Sequence, residues 1–130
     1  MRESIVHRGH VLIVEDNQDL REVFAKVLGF AGYQFSVATT GREAIEMSVT
    51  TLPDIILMNV SLPDMRGTEA ARWIKNNPRT TSIPIIAWSG LVGPNSREEA
   101  LSAGMVDYLV KPFSAHELKY KIEKFIAWRR

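Results

Sequence analysis

Residues 54–65 read DIILMNVSLPDM: four apolar residues follow an acid, a lone carboxamide (Asn59) ends the run, and Leu62-Pro63 breaks it into a loop. The run is too short for a helix and rich in isoleucine, so it predicts a strand; its unbroken apolar character predicts burial on both faces. VLIV at 11–14 and IPIIAW at 83–88 read the same way. YQFSVAT at 33–39 alternates instead, which predicts an edge strand with Tyr33, Phe35 and Val37 turned to one covered face, and VDYLV at 106–110 supplies a fifth strand. Between the strands Leu20, Val23, Phe24, Val27 and Leu28 recur at helical spacing, as do Leu118, Ile122, Phe125 and Ile126. Strand and helix alternating in this way predict an α/β, doubly wound (βα)5 sandwich with a parallel sheet and right-handed crossovers.

The punctuation agrees. Thr40 to Glu43, Ser96 to Glu99 and Ser114 to Glu117 have the spacing of a capping box at a helix start, and Gly32 stands where the first helix should stop. A chain of 130 residues with no cysteine fits one domain in a reducing compartment, and a formal charge of +1 gives no global pull toward nucleic acid or membrane. No stretch approaches the roughly 20 apolar residues of a membrane span. The expectation is a soluble cytoplasmic protein with a polar leader over 1–9, one domain over 10–130, and no nucleic-acid or membrane partner. Trp73 and Trp128, on outer helices, read as packing at the edge of the core.

An open parallel sheet binds ligands outside the carboxyl ends of its strands. Those ends carry Glu15-Asp16 after strand one, Asn59 after strand three, Trp88-Ser89-Gly90 after strand four and Lys111-Pro112 after strand five. Each has an ordinary reading as a cap or a turn. Together they bring hard oxygen ligands for Mg²⁺, a hydroxyl and an amine to one rim, a set suited to phosphoryl oxygens.

With VLIVEDN, DIILMNVSLPDMRG, IPIIAWSG and DYLVKPF in that order, the chain from about 10 to 128 resembles the receiver domain of bacterial two-component response regulators. The resemblance implies the flavodoxin-like receiver fold with strand order 2-1-3-4-5, and a signalling protein, not an enzyme. It implies Mg²⁺ held by Glu15, Asp16, residue 59 and the backbone carbonyl of Ser61. It places the phosphoryl acceptor at position 59, with Ser89 and Lys111 on the phosphoryl oxygens and Tyr108 reorienting with Ser89 as the switch. A Lys111-Pro112 cis bond is implied too. Partners implied are a histidine kinase or phosphotransfer protein, and a downstream protein or output domain on the face of helix four, strand five and helix five. That face would present Arg97, Glu98, Tyr108, Lys119, Tyr120 and Lys121, and a homodimer is among its assemblies.

The sequence departs from that family at its centre. An aspartate oxygen can form an acyl phosphate, whereas an amide oxygen is a weak nucleophile. The chain is therefore expected not to accept phosphate at Asn59 and to bind Mg²⁺ weakly. Two origins are open: a natural pseudo-receiver acting as a phosphate-independent interaction module, or an asparagine standing in for a native aspartate that takes phosphate in a phosphorelay. A flavodoxin-type flavin carrier is disfavoured because EDNQD would repel a phosphate after strand one. A haloacid-dehalogenase-type phosphatase is disfavoured because Glu15 and Asn17 stand where it needs two aspartates.

Overall fold

The computed structural model describes residues 8–90, 96–110 and 113–129. Its strands are β1 (His10–Val14), β2 (Gln34–Ala38), β3 (Ile55–Asn59), β4 (Ile85–Ser89) and β5 (Asp107–Val110). Helices α1 (Gln18–Phe30), α2 (Gly41–Thr51), α3 (Gly67–Lys75), α4 (Ser96–Ser102) and α5 (Ala115–Arg129) alternate with them. All pairings are parallel, in the order β2-β1-β3-β4-β5. The doubly wound fold expected from the apolar runs is thus the fold observed.

Alternation along the strands sorts the core into two layers. Leu12, Val14, Ile56, Met58, Ile85, Ala87 and Tyr108 form one buried cluster together with residues of α2, α3 and α4. Val11, Ile13, Ile55, Leu57, Ile86, Trp88 and Leu109 form the other, with Phe24 and Leu28 of α1 and Leu118, Ile122 and Ile126 of α5. This is why the central strands read as continuous apolar runs: neither face meets water. β2 is an edge strand, as its alternation suggested, but Phe35 is 40% exposed, and Tyr33 and Ala38 at the ends carry the burial. Trp73 is also more open than expected, at 62% exposure, and the side chain of Trp128 lies outside the described residues.

The helix starts follow their sequence signals with one adjustment. Thr40 caps α2 by accepting from the Glu43 N–H at 3.0 Å, while Glu43 reaches back to the Thr39 N–H at 2.7 Å, one residue earlier than the simple box. Ser114 Oγ accepts from the Glu117 N–H at 3.0 Å and opens α5. Ser96 is the first residue of α4. Past Ala31, the C-cap of α1, Gly32 takes φ +89, a left-handed backbone that a Cβ would strain. At the amino end of the sheet, Arg8 pairs with Glu123 at 2.6 Å, and Gly9 O accepts from the Gln34 N–H at 2.9 Å.

Candidate functional site

Strand register assembles the site. Val14 of β1 pairs with Met58 of β3, and Asn59 of β3 pairs with Trp88 of β4. Glu15, Asn59 and Trp88 thus form the next row across three strands at their carboxyl ends. Asn59 Nδ2 donates to both oxygens of Glu15, at 3.0 Å to Oε1 and 3.1 Å to Oε2. The Trp88 indole Nε1–H donates to Oε1 at 2.6 Å, and the Asn17 backbone N–H to Oε2 at 3.0 Å. The other end of the Asn59 amide is fixed as well, since its Oδ1 accepts from the Ser61 N–H at 2.9 Å. That pattern orients the carboxamide, because turning it over would lose all three bonds.

Glu15 is 1% exposed. Burial pushes its carboxyl above the usual range, against the hydrogen bonds from Asn17, Trp88 and Asn59, and the neighbouring Asp16 carboxyl adds to the rise. Asp16 itself is exposed. Arg21, one turn into α1, braces the acidic loop by donating to the carbonyls of Glu15 at 3.2 Å and Asp16 at 2.9 Å.

The loop after β3 is tied down at both ends. Ser61 bridges to Arg66, and the Gly67 N–H reaches Val60 O at 2.8 Å. Asp64 reaches out of the loop to the start of α2, accepting from the Gly41 N–H at 2.8 Å and the Arg42 N–H at 2.9 Å. The Gly41 and Arg42 N–H bonds hold the Asp64 carboxyl below its usual range.

Ser89, 4% exposed, ends β4 next to this row and pairs with Val110. Tyr108 is buried on β5, where it lines a small cleft of about 20 Å³ with Val60, Arg66, Thr68, Ser96 and Glu99. Lys111 and Pro112, with their implied cis bond, lie outside the described residues. On the face of α4, β5 and α5, Tyr120 is exposed, but Tyr108 is not presented to solvent, and Lys121 is engaged by Asp107 at 2.7 Å. Among the described residues no three His, Cys, Asp or Glu side chains gather as a metal cage.

The sequence reading missed three participants: Trp88, Asn17 and Arg21. Trp88 was legible only as an aromatic beside Ser89; its role depends on β4 standing next to β3 in register. Arg21 was legible only as a helix residue, and Asn17 acts through its backbone.

A profile of the response regulator receiver domain family matches residues 11–123. The chain belongs to that family. This receiver domain is 35% identical over 113 residues to the phosphate regulon transcriptional regulatory protein PhoB of Pseudomonas aeruginosa, covering 87% of the chain and 49% of PhoB. It is 34% identical over 119 residues to the sensor histidine kinase TmoS of Ectopseudomonas mendocina, covering 92% of the chain and 12% of TmoS. Half or less of either relative is therefore spanned. The receiver domain of the P. aeruginosa sensor histidine kinase PA1611, whose structure has a magnesium ion coordinated in its active site cleft, superposes with TM-score 0.85 at 34% identity, covering 92% of this chain and 98% of that one. Receiver domains are signalling modules, and relatives of this one are found both in regulators and within kinases. No helix among the described residues is long and apolar enough to cross a membrane.

The carboxylates of Glu15 and Asp16, the Asn59 carbonyl and the Ser61 backbone carbonyl are the oxygens that would hold Mg²⁺, and they suit it in kind. They carry one charge fewer than three carboxylates would, and the Asn59 N–H₂ group, not an oxygen, faces Glu15.

Proposed function

We propose that this receiver domain sits at the acceptor step of a two-component phosphorelay, with Asn59 in the acceptor position, and that the chain as it stands does not take up phosphate. The observation that carries this is the Asn59 carboxamide at the end of β3, joined to the buried Glu15 by both of its oxygens. A carboxylate there would be a nucleophile beside a metal-binding acid; an amide oxygen forms no stable acyl phosphate. Glu15, Asp16, the Asn59 carbonyl and the Ser61 carbonyl would hold Mg²⁺, which when bound neutralises the acidic rim and offsets phosphoryl charge. Ser89 and Lys111 would donate to phosphoryl oxygens, and Tyr108 would follow Ser89. With the acid at 59, a histidine kinase or phosphotransfer protein supplies the phosphoryl group, and a downstream protein or output domain reads the change through α4, β5 and α5.

A second reading has its own support. The Glu15 carboxylate accepts from N–H groups of Asn17, Asn59 and Trp88, so the chain's own donors stabilise this buried acid. That favours a phosphate-independent interaction module for the chain carrying asparagine.

The test is incubation with acetyl phosphate and Mg²⁺ followed by intact-mass measurement. The chain should gain no phosphoryl group, and Asn59→Asp should gain one that hydroxylamine removes, as an acyl phosphate requires. An adduct mapped to Asn59, or none on the Asp form, would overturn the assignment of position 59.

A further inference from the structure

Trp88 makes a contact that burial alone does not require. Its indole N–H lies 2.6 Å from Glu15 Oε1, the shortest of the four bonds on that carboxylate. The ring packs against a pair of others: Phe24 of α1 meets it edge-on at 5.5 Å and 78°, and Phe113 meets it at 5.8 Å and 77°. Phe24 and Phe113 themselves stack at 5.8 Å with planes 2° apart. The indole cannot swing aside without breaking both edge contacts, so its donor is aimed before any ligand arrives.

A carboxylate offers about four lone-pair sites. In Glu15 three donor groups surround the two oxygens: Trp88 on Oε1, Asn17 on Oε2, and the Asn59 N–H₂ straddling both. A cation reaching this acid competes with these donors for the same oxygens. The Asn59 amide is held at both ends, the Asn17 N–H belongs to the backbone, and Trp88 is set by its aromatic neighbours. Oε1 is therefore held on the β4 side by Trp88.

We propose that Trp88 is a positioning residue for Glu15: it holds the carboxylate in place beside Asn59 and competes with a divalent cation for Oε1. This rests on the reading of Glu15 as a metal ligand given above. The latch makes the acidic rim of this chain reluctant toward cations for a second reason, separate from the missing charge at 59. With phenylalanine at 88, Glu15 keeps its burial but loses one donor, and the lone pair left open is what a cation would fill.

Mn²⁺ is a suitable probe, because free ion is read directly by electron paramagnetic resonance. Trp88→Phe should bind Mn²⁺ about five-fold more tightly than the parent chain, about 1 kcal/mol, while melting lower without metal; a merely structural tryptophan would lower the melting temperature and leave or weaken the affinity. Glu15→Gln separates the latch from the metal site. If Glu15→Gln loses binding and Trp88→Phe binds as the parent does or more weakly, the latch is wrong and the metal reading stands. If Glu15→Gln binds as well as the parent, both fall. Should Trp88→Phe fail to fold, Mg²⁺ titration of the ¹⁵N-labelled parent decides. A saturable shift of the Trp88 indole N–H together with the Asn17 amide supports the latch, and an unmoved indole beside shifting Asn17 and Ser61 amides overturns it.

Discussion

Asp107 shows how one residue can tie an element into the fold. It is buried at the start of β5, where its carboxylate takes Lys121 of α5 at 2.7 Å, Arg97 of α4 at 3.9 Å and its neighbour's Tyr108 N–H at 2.7 Å. Burial pushes the carboxyl up, yet the Lys121 and Tyr108 hydrogen bonds and the charges of Lys121 and Arg97 outweigh it and leave the group below its usual range. Lys121→Met should strand a largely buried carboxylate and cost about 2 kcal/mol in chemical denaturation, less than for a fully buried pair because Arg97 and some solvent remain. Replacing both partners by apolar residues should recover most of the loss. Equal stability of Lys121→Met and the parent would mean that the pair contributes nothing. At this scale the sequence was a mixed guide. Glu15 and Asn59 were legible because strand ends in an open parallel sheet are where chemistry collects, whereas Lys121 read as a surface residue because its partner lies 14 positions away on another element.

At the scale of elements, the link from β3 to α3 is the tightest joint near the site. A Cβ built on Gly67 would stand 2.3 Å from Asn59 O and 2.9 Å from Val60 Cα, and backbone cannot move aside as a flexible side chain can. Gly67→Ala should therefore destabilise by about 3 kcal/mol and displace the Asn59 carbonyl, seen as a lower melting temperature and shifted Asn59 and Val60 amide resonances. A folded Gly67→Ala of unchanged stability would contradict the close approach. The strands and helices themselves were largely legible, because β1, β3 and β4 are buried on both faces and their apolar runs have no other good use. What misled was β2: alternation identifies an edge strand, but which of its two half-covered faces wins depends on how α1 and α2 reach over it, and Phe35 lost. The Asp64 clamp on α2 was hidden for the same kind of reason, since it joins residues 22 and 23 positions apart.

For the whole molecule, the carboxylates predict the pH profile. In Asp107, Asp64 and Glu43 the folded state holds the group below its ordinary value of 3.8 or 4.5, so it binds fewer protons folded than unfolded. Their contribution is fully present above the ordinary values and is lost as pH falls through the lower folded ones. Glu15 has the opposite sign. Its folded carboxyl titrates above 4.5, so its ionised form weighs against folding at neutral pH, and that weight lifts as pH falls through its raised folded value. Stability should hold or rise slightly on mild acidification and then drop steeply below about 4. Lys121→Met should flatten the steep limb, and urea midpoints across pH would show it; a limb unchanged by Lys121→Met would remove Asp107 from the account.

In the proposed reading, residue 59 shares one electrostatic site with Glu15 and Asp16. Asn59→Asp replaces two N–H···O contacts on a buried carboxylate with a second carboxylate. At an effective dielectric near 20, two such charges about 5 Å apart repel by about 3 kcal/mol before solvent and nearby cations offset most of it. With the lost hydrogen bonds included, the net cost should be about 2 kcal/mol, which lowers the melting temperature by about 5–10 °C at this chain length. The measurement is a pair of melting curves for the parent and Asn59→Asp, in EDTA and in Mg²⁺. The Asp form should melt lower in EDTA and close or reverse the gap in Mg²⁺, which binds three carboxylates more tightly and stabilises by mass action. Equal melting temperatures in EDTA with equal responses to Mg²⁺ would contradict that reading.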